Sequence, residues 1–136
     1  MNARLDLQSV SDPDLVTRLR RLLMNSAEVE VQIILAIAEA KRRQLHRAYA
    51  YPSLFAFCTG ELKLSESVAW KRIRIASAVR EFPLALQLLA DGQIHLSGLT
   101  MVVPHLQADN YRQRLEAACG KTRKEIAVLT ATWDPK

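Results

Sequence analysis

Glycine is scarce in this sequence, four in 136 residues, and the four are too scattered to build a phosphate-cradling loop of the GxxxxGK[ST] or GxGxxG kind. "GKT" at 120–122 imitates the end of such a loop, but Ala118 and Cys119 precede it and the first glycine and its strand are missing. It reads as a helix stop followed by a cap. Cysteine is also sparse. Cys58 and Cys119 stand far apart with neither CxxC nor Cys/His spacing, which excludes the usual metal-binding patterns and leaves two packed thiols. The three histidines, His46, His95 and His105, fall at a helix end, an interhelical loop and a post-proline position. None has metal-ligand spacing such as HExxH, and no acid, base and nucleophile converge in a pattern that catalysis requires. No enzymatic activity, cofactor, metal or small-molecule substrate is therefore expected.

Long apolar runs are missing too. The longest stretch, "VQIILAIAEA", is interrupted by Gln32 and Glu39, well short of the roughly 18–20 apolar residues a membrane span needs. The N-terminus "MNARLDLQSV" lacks the basic and apolar regions of an export signal. A soluble, cytoplasmic chain with no membrane partner is the expectation. Two-residue alternation, the mark of a half-buried strand, is almost absent as well.

What the sequence does contain is apolar residues recurring at threes and fours, which predicts an all-α fold: one compact domain of about seven to eight short helices. Asp12 as N-cap and Pro13 at the first helical position open a helix over about 13–24, with Leu15, Leu19, Leu22 and Leu23 on one face. Asn25 and Glu28 have capping-box spacing, so a second helix is expected over about 26–46, carrying Val29, Ile33, Ile34, Ile37 and Ala40. Residues 1–46 would thus form a helical hairpin. Pro52 breaks the chain and Ser53 caps a short helix over 53–62, whose Phe55 and Phe57 are most simply core. Ser65 caps a helix over 65–80 that buries Val68, Ala69, Ile73, Ala76 and Val79. Supporting helices fill 83–132: Gly92 ends one, Ser97 opens the next, Pro104 weakens its end, Asp109 caps another, and Thr122 with Glu125 makes a capping box.

Charge is unevenly spread. Residues 1–40 hold four Arg/Lys against six Asp/Glu, residues 41–80 nine against two, and residues 81–136 six against six. The net charge of +5 therefore originates in the middle segment, where a basic face would attract nucleic acid. That segment also fits a helix-turn-helix over 53–80: a short helix, a tight turn with Leu64 as an apolar plug, small residues Ala56 and Ala69 at the crossing, and a second helix whose Ser67, Trp70, Lys71 and Arg74 face outward. Ser65 and the helix N-terminus would hold a phosphate. Glu66 opposes phosphate unless it reads a cytosine amino group.

"YPSLFAFCTGELKLSESVAWKRIRIASAVREFP", then "LALQLLADGQIHLSGLTMVVPHL", then "YRQRLEAACGKTRKEI" resemble, in that order over about residues 45–130, the helical region that precedes the nuclease domain in bacterial HNH endonuclease-like proteins. Residues 61–102 resemble more weakly the DNA-binding core of the ParB/KorB partition proteins. Both resemblances imply double-stranded DNA as partner and a recognition helix starting at Ser65, with Ser67, Trp70, Lys71 and Arg74 at its outer positions. The chain departs from the pattern at Ala50 and Gly60, where a glycine and a charged residue are expected. It lacks the His-Asn-His site, so no DNA cleavage is expected, and it stops at "TATWDPK" where such proteins continue into a linker. It is expected to be the N-terminal part, or a free-standing relative, of such a protein.

The resulting expectation is a DNA-binding module contacting DNA through Arg42, Arg43, Lys63, Ser65, Ser67, Trp70, Lys71, Arg72 and Arg74. A single module binds weakly, and a homodimer through the apolar residues 1–46 would supply a second half-site. The alternative is a protein-interaction or dimerisation module in which Trp70, ringed by arginine, anchors a partner and the basic face is incidental.

Overall fold

A computed structural model describes residues 7–134. It is all-helical: α1 (Asp12–Arg42), α2 (Leu45–Ala48), α3 (Leu54–Gly60), α4 (Glu66–Ala78), α5 (Pro83–Ala90), α6 (Leu96–Val102), a 3₁₀ turn (Val103–His105), α7 (Tyr111–Ala118) and α8 (Arg123–Trp133). No strand occurs among the described residues. No described helix is long and apolar enough to cross a membrane.

The largest departure from the sequence reading is α1. The two helices expected over 13–24 and 26–46 are one continuous helix of 31 residues, about 46 Å long at 1.5 Å per residue. Asn25 and Glu28 have the spacing of a capping box, but no Gly or Pro separates the two apolar stretches. Continuing the helix forms one further backbone hydrogen bond per residue, whereas stopping leaves end groups to be satisfied. The cap is Ser11 rather than Asp12, its hydroxyl accepting from the Asp14 N–H at 3.3 Å. Asp12 and Asp14 instead occupy the first turn, and Lys41 and Arg42 the last, which complements the helix dipole at both ends.

Other starts follow the expected caps. Ser53 accepts from the Ala56 N–H at 3.0 Å and Ser65 from the Val68 N–H at 3.3 Å. Thr122 and Glu125 complete their reciprocal box at 3.1 and 2.8 Å. Two starts are shifted. His95, not Ser97, caps α6, its Nδ1 accepting from the Gly98 N–H at 2.9 Å. Asn110 rather than Asp109 precedes α7, and its side chain accepts from the Gln107 N–H at 2.8 Å. Pro104 falls in the 3₁₀ turn that terminates α6, where its missing N–H removes no α-helical bond.

The main core gathers Ile34, Ile75, Leu99, Val102, Leu115 and Ile126, all fully buried, with Val31 and Ile37 of α1 packed among them. A smaller cluster of Phe57, Cys58 and Ala69, with Leu45, Tyr51, Leu54, Leu64 and Ile73 against it, joins α2, α3 and α4. Both cysteines are free thiols, and burial pushes each of them up in pKa. Phe55, expected in the core, is exposed, while Phe57 is buried. The two substituted positions of the family resemblance have local explanations. Ala50 sits at φ 62°, the left-handed region that glycine occupies without cost. A side chain at Gly60 would begin 2.6 Å from the Tyr51 ring, so the Tyr51 side chain takes the space a charged residue would need.

Candidate nucleic-acid interface

Helices α3 and α4 are joined by residues 61–65, and the path of that turn is set by two features. Lys63 adopts φ 61°, and the Leu64 N–H donates back to the Cys58 carbonyl at 3.1 Å. Leu64 thereby tucks against Phe57, Cys58 and Ala69, while Lys63 is left exposed. Ala69 is completely buried at the contact and Ala56 half-buried. A methyl side chain at the crossing lets α4 approach α3 closely.

Helix α4 packs on α1, α3 and α6, so its inward surface is wider than a single stripe. Ala69, Ile75 and Ala76 are buried, and Val68, Ile73 and Val79, expected in the core, are half-buried. Ile75, which the sequence reading omitted, has no exposed surface at all. The outward face carries Ser67, Trp70, Arg74 and Ser77, all exposed and spaced by threes and fours. Trp70 is 50% exposed, and the Arg74 guanidinium lies over its ring at 5.1 Å from the centroid.

The nine residues expected at the interface are divided by the structure. Lys63, Ser65, Ser67, Trp70 and Arg74 are exposed at or near the N-terminal half of α4. Lys71 is half-buried at the edge of this group, its Nζ donating to Ser97 Oγ of α6 at 3.0 Å. That bond goes to a neutral hydroxyl, so the lysine charge keeps no counter-ion there. Among the described residues no carboxylate lies within 4 Å of Lys63, Lys71 or Arg74. Arg72 is different and leaves the group. It makes a bidentate pair with Glu30 of α1, 2.7 Å from Nε and 3.0 Å from the terminal nitrogen, with only 15% and 19% of the two side chains exposed. It stands four residues from Val68 and three from Ile75, on the inward side of the helix, which is why the basic run "KRIR" cannot present all three cations outward.

Arg42 and Arg43 form a second group at the C-terminal end of α1. Both bind Glu39: Arg42 at 3.0 and 2.5 Å, Arg43 at 2.6 Å. The two guanidiniums hold that carboxyl down to about 2, so one negative charge is shared by two exposed arginines. This group borders the other end of α4. Arg42 and Lys41 line a shallow groove with Ser77 and Arg80, and Lys41 Nζ donates to Ser77 Oγ at 2.8 Å. Because Ser77 is three residues from Arg74 on the same face, the basic surface runs along α4 from Lys63 to the end of α1. Lys41 and Arg80 belong to it and were missed by sequence reasoning, since only the α1–α4 crossing places them there.

The histidines do not gather at this surface. His95 is a helix cap, and His105 pairs with Asp134 and lies against the Trp133 ring. His46, on α2, has a buried Nδ1 without a hydrogen-bond partner among the described residues. No cluster of three or more metal-ligating side chains occurs among the described residues.

Compared with known protein families, curated proteins and solved structures, the chain matches none of them.

Proposed function

We propose that this chain is a non-catalytic DNA-binding module in which α3 and α4 act as a helix-turn-helix and α4 enters the major groove. The observation that carries the reading is the outward face of α4: Lys63, Lys71 and Arg74 lack any carboxylate partner among the described residues, beside the hydroxyls of Ser65 and Ser67 and the exposed Trp70 ring. Cations without counter-ions attract a polyanion at little desolvation cost, and binding releases the counterions condensed on the phosphates. The backbone N–H groups of Glu66 and Ser67, at the start of α4, lie outside the intrahelical hydrogen-bond ladder and add a phosphate site. Arg42 and Arg43 would reach flanking phosphates from the far end of the face. Arg72 is excluded from the contact set by its bond to Glu30. The resemblance to the helical region of HNH endonuclease-like proteins is consistent with the same partner and is part of the proposal.

The test is fluorescence anisotropy with a labelled random duplex over a salt series. Four to six phosphate contacts predict a slope of log affinity on log salt of about −4 to −5. The double substitution Lys71→Ala with Arg74→Ala should flatten that slope by about 2 and leave the helical circular dichroism unchanged. Absence of binding at about 50 mM salt, or a double variant that binds like the parent, rejects the reading.

One observation favours a different class. A half-exposed tryptophan with an arginine stacked on it is the composition of a protein-interface hot spot. On that reading Trp70→Ala abolishes capture of a protein partner, and the association is far less salt-sensitive than DNA binding.

A further inference from the structure

The cations of the α4 face are held by partners that carry no charge. Lys71 Nζ donates to Ser97 Oγ of α6 at 3.0 Å, Lys41 Nζ of α1 donates to Ser77 Oγ at 2.8 Å, and the Arg74 guanidinium rests over the Trp70 ring. Among the described residues, the cation of α4 that meets a carboxylate is Arg72, and it is the one turned into the body. A carboxylate fixes a cation by neutralising it, as Glu30 does to Arg72. A hydroxyl fixes the side chain and leaves the full charge in place. An ammonium that spends one of its three donors on a serine keeps two for another acceptor, and no carboxylate lies within 4 Å of Lys41 or Lys71 among the described residues.

Neither serine is needed to build its own helix. His95, not Ser97, caps α6. Ser77 lies in the last turn of α4, and its hydroxyl donates back to the Ile73 carbonyl at 3.0 Å, a bond that slightly destabilises a helix rather than supporting it. That bond commits the Ser77 proton and leaves the lone pairs of Oγ to accept from Lys41.

Position around the helix shows what the two bonds serve. Lys71 and Ser77 stand three residues before and three after Arg74, which at 3.6 residues per turn places them on opposite sides of it. Lys71 is held at the margin beside α6, while Lys41 reaches the other margin from the end of α1, in the open groove it lines with Ser77 and Arg80. Trp70 and Arg74 lie between. An element seated in a groove of DNA meets base edges along its middle and the phosphates of the two strands at its margins. Two fixed ammonium groups at the margins match those two phosphate walls.

We infer that Ser97 and Ser77 are positioning residues of the DNA site, each holding one lysine ammonium, Lys71 or Lys41, at a margin of α4 where it meets a backbone phosphate. The inference rests on the DNA reading and adds to it Lys41 as a phosphate contact and the two serines as the groups that order the lysines beforehand. A lysine already held in place avoids the ordering cost that a free one meets on association.

Anisotropy titrations of the 136-residue chain with a labelled random duplex at several salt concentrations test it. Ser97→Ala and Ser77→Ala should each weaken binding about three- to tenfold without changing the slope of log affinity on log salt, because both cations remain. Lys71→Ala and Lys41→Ala should each flatten that slope by about 1, and in those backgrounds the matching serine variant should have no further effect. Ser77→Asp, at an exposed position, pairs with Lys41 and should flatten the slope by about 1 with the lysine still present. Circular dichroism should stay that of the parent in every variant, since neither serine caps a helix. Either alanine variant of a serine binding like the parent, or weakening binding equally with and without its lysine, overturns the inference and leaves the DNA reading standing. A parent chain that binds no duplex at about 50 mM salt overturns both.

Discussion

Two single residues show how local chemistry and tertiary demand can disagree. Ala50 holds φ 62° in the turn between α2 and α3, a conformation that costs an L-residue about 1–2 kcal/mol. Glycine removes that cost but loses about 0.5–1 kcal/mol through the extra freedom of its unfolded chain. Ala50→Gly should therefore stabilise the fold by up to about 1 kcal/mol, read as a higher urea midpoint with an unchanged m-value. Position 50 is also one where the resemblance stated above implies a glycine. His95 was the opposite case. Nothing in "IHLSG" distinguishes an imidazole cap from a serine cap, because both side chains can accept from the first-turn N–H groups. The choice falls to His95 once Ser97 Oγ accepts the Lys71 ammonium instead.

Among the elements, α4 was the most legible from sequence and the least completely so. Its Ser65 cap, its end within two residues and its exposed Ser67, Trp70 and Arg74 follow from a serine cap and a 3.6-residue period. The period alone assigned one buried stripe, and α4 has three neighbours. Arg72 was consequently placed on the wrong side. It binds Glu30, forty-two residues earlier, across a crossing that no local pattern encodes. The pair ties α1 to α4 and is mostly withdrawn from water. Removing either partner strands the other, so Arg72→Ala or Glu30→Ala should cost about 2–3 kcal/mol, somewhat less than the roughly 3–5 kcal/mol of a fully buried pair. Replacing both together, Glu30→Leu with Arg72→Met, should recover most of that loss in the same urea titration, because apolar neighbours of similar volume need no counter-charge.

At the scale of the whole molecule, the body is made by the C-terminal half of α1 and the helices after it, while the N-terminal half of α1 adds apolar surface without adding core. A helix end in that position has few tertiary contacts to hold it and borrows stability from whatever covers it. Leu19→Asp, at a position 51% exposed, should therefore leave the urea midpoint nearly unchanged, costing no more than about 1 kcal/mol.

The all-helical class, the serine caps of α3 and α4, the Thr122–Glu125 box and the basic character of the 41–80 segment were all decided by neighbours within four residues, and they are readable from the sequence for that reason. Helix capping, helical period and local charge are short-range quantities. Three matters were decided elsewhere. That only the C-terminal half of α1 is drawn into the core depends on where α4 and α5 pack against it. That Arg72 turns inward depends on Glu30 arriving from another helix. That Lys41 and Arg80 extend the face of α4 depends on where two helices cross. Each is a contact between residues distant in the chain, whose energy is absent until the chain has closed the intervening loop, and so it leaves no periodic trace in the order of the amino acids.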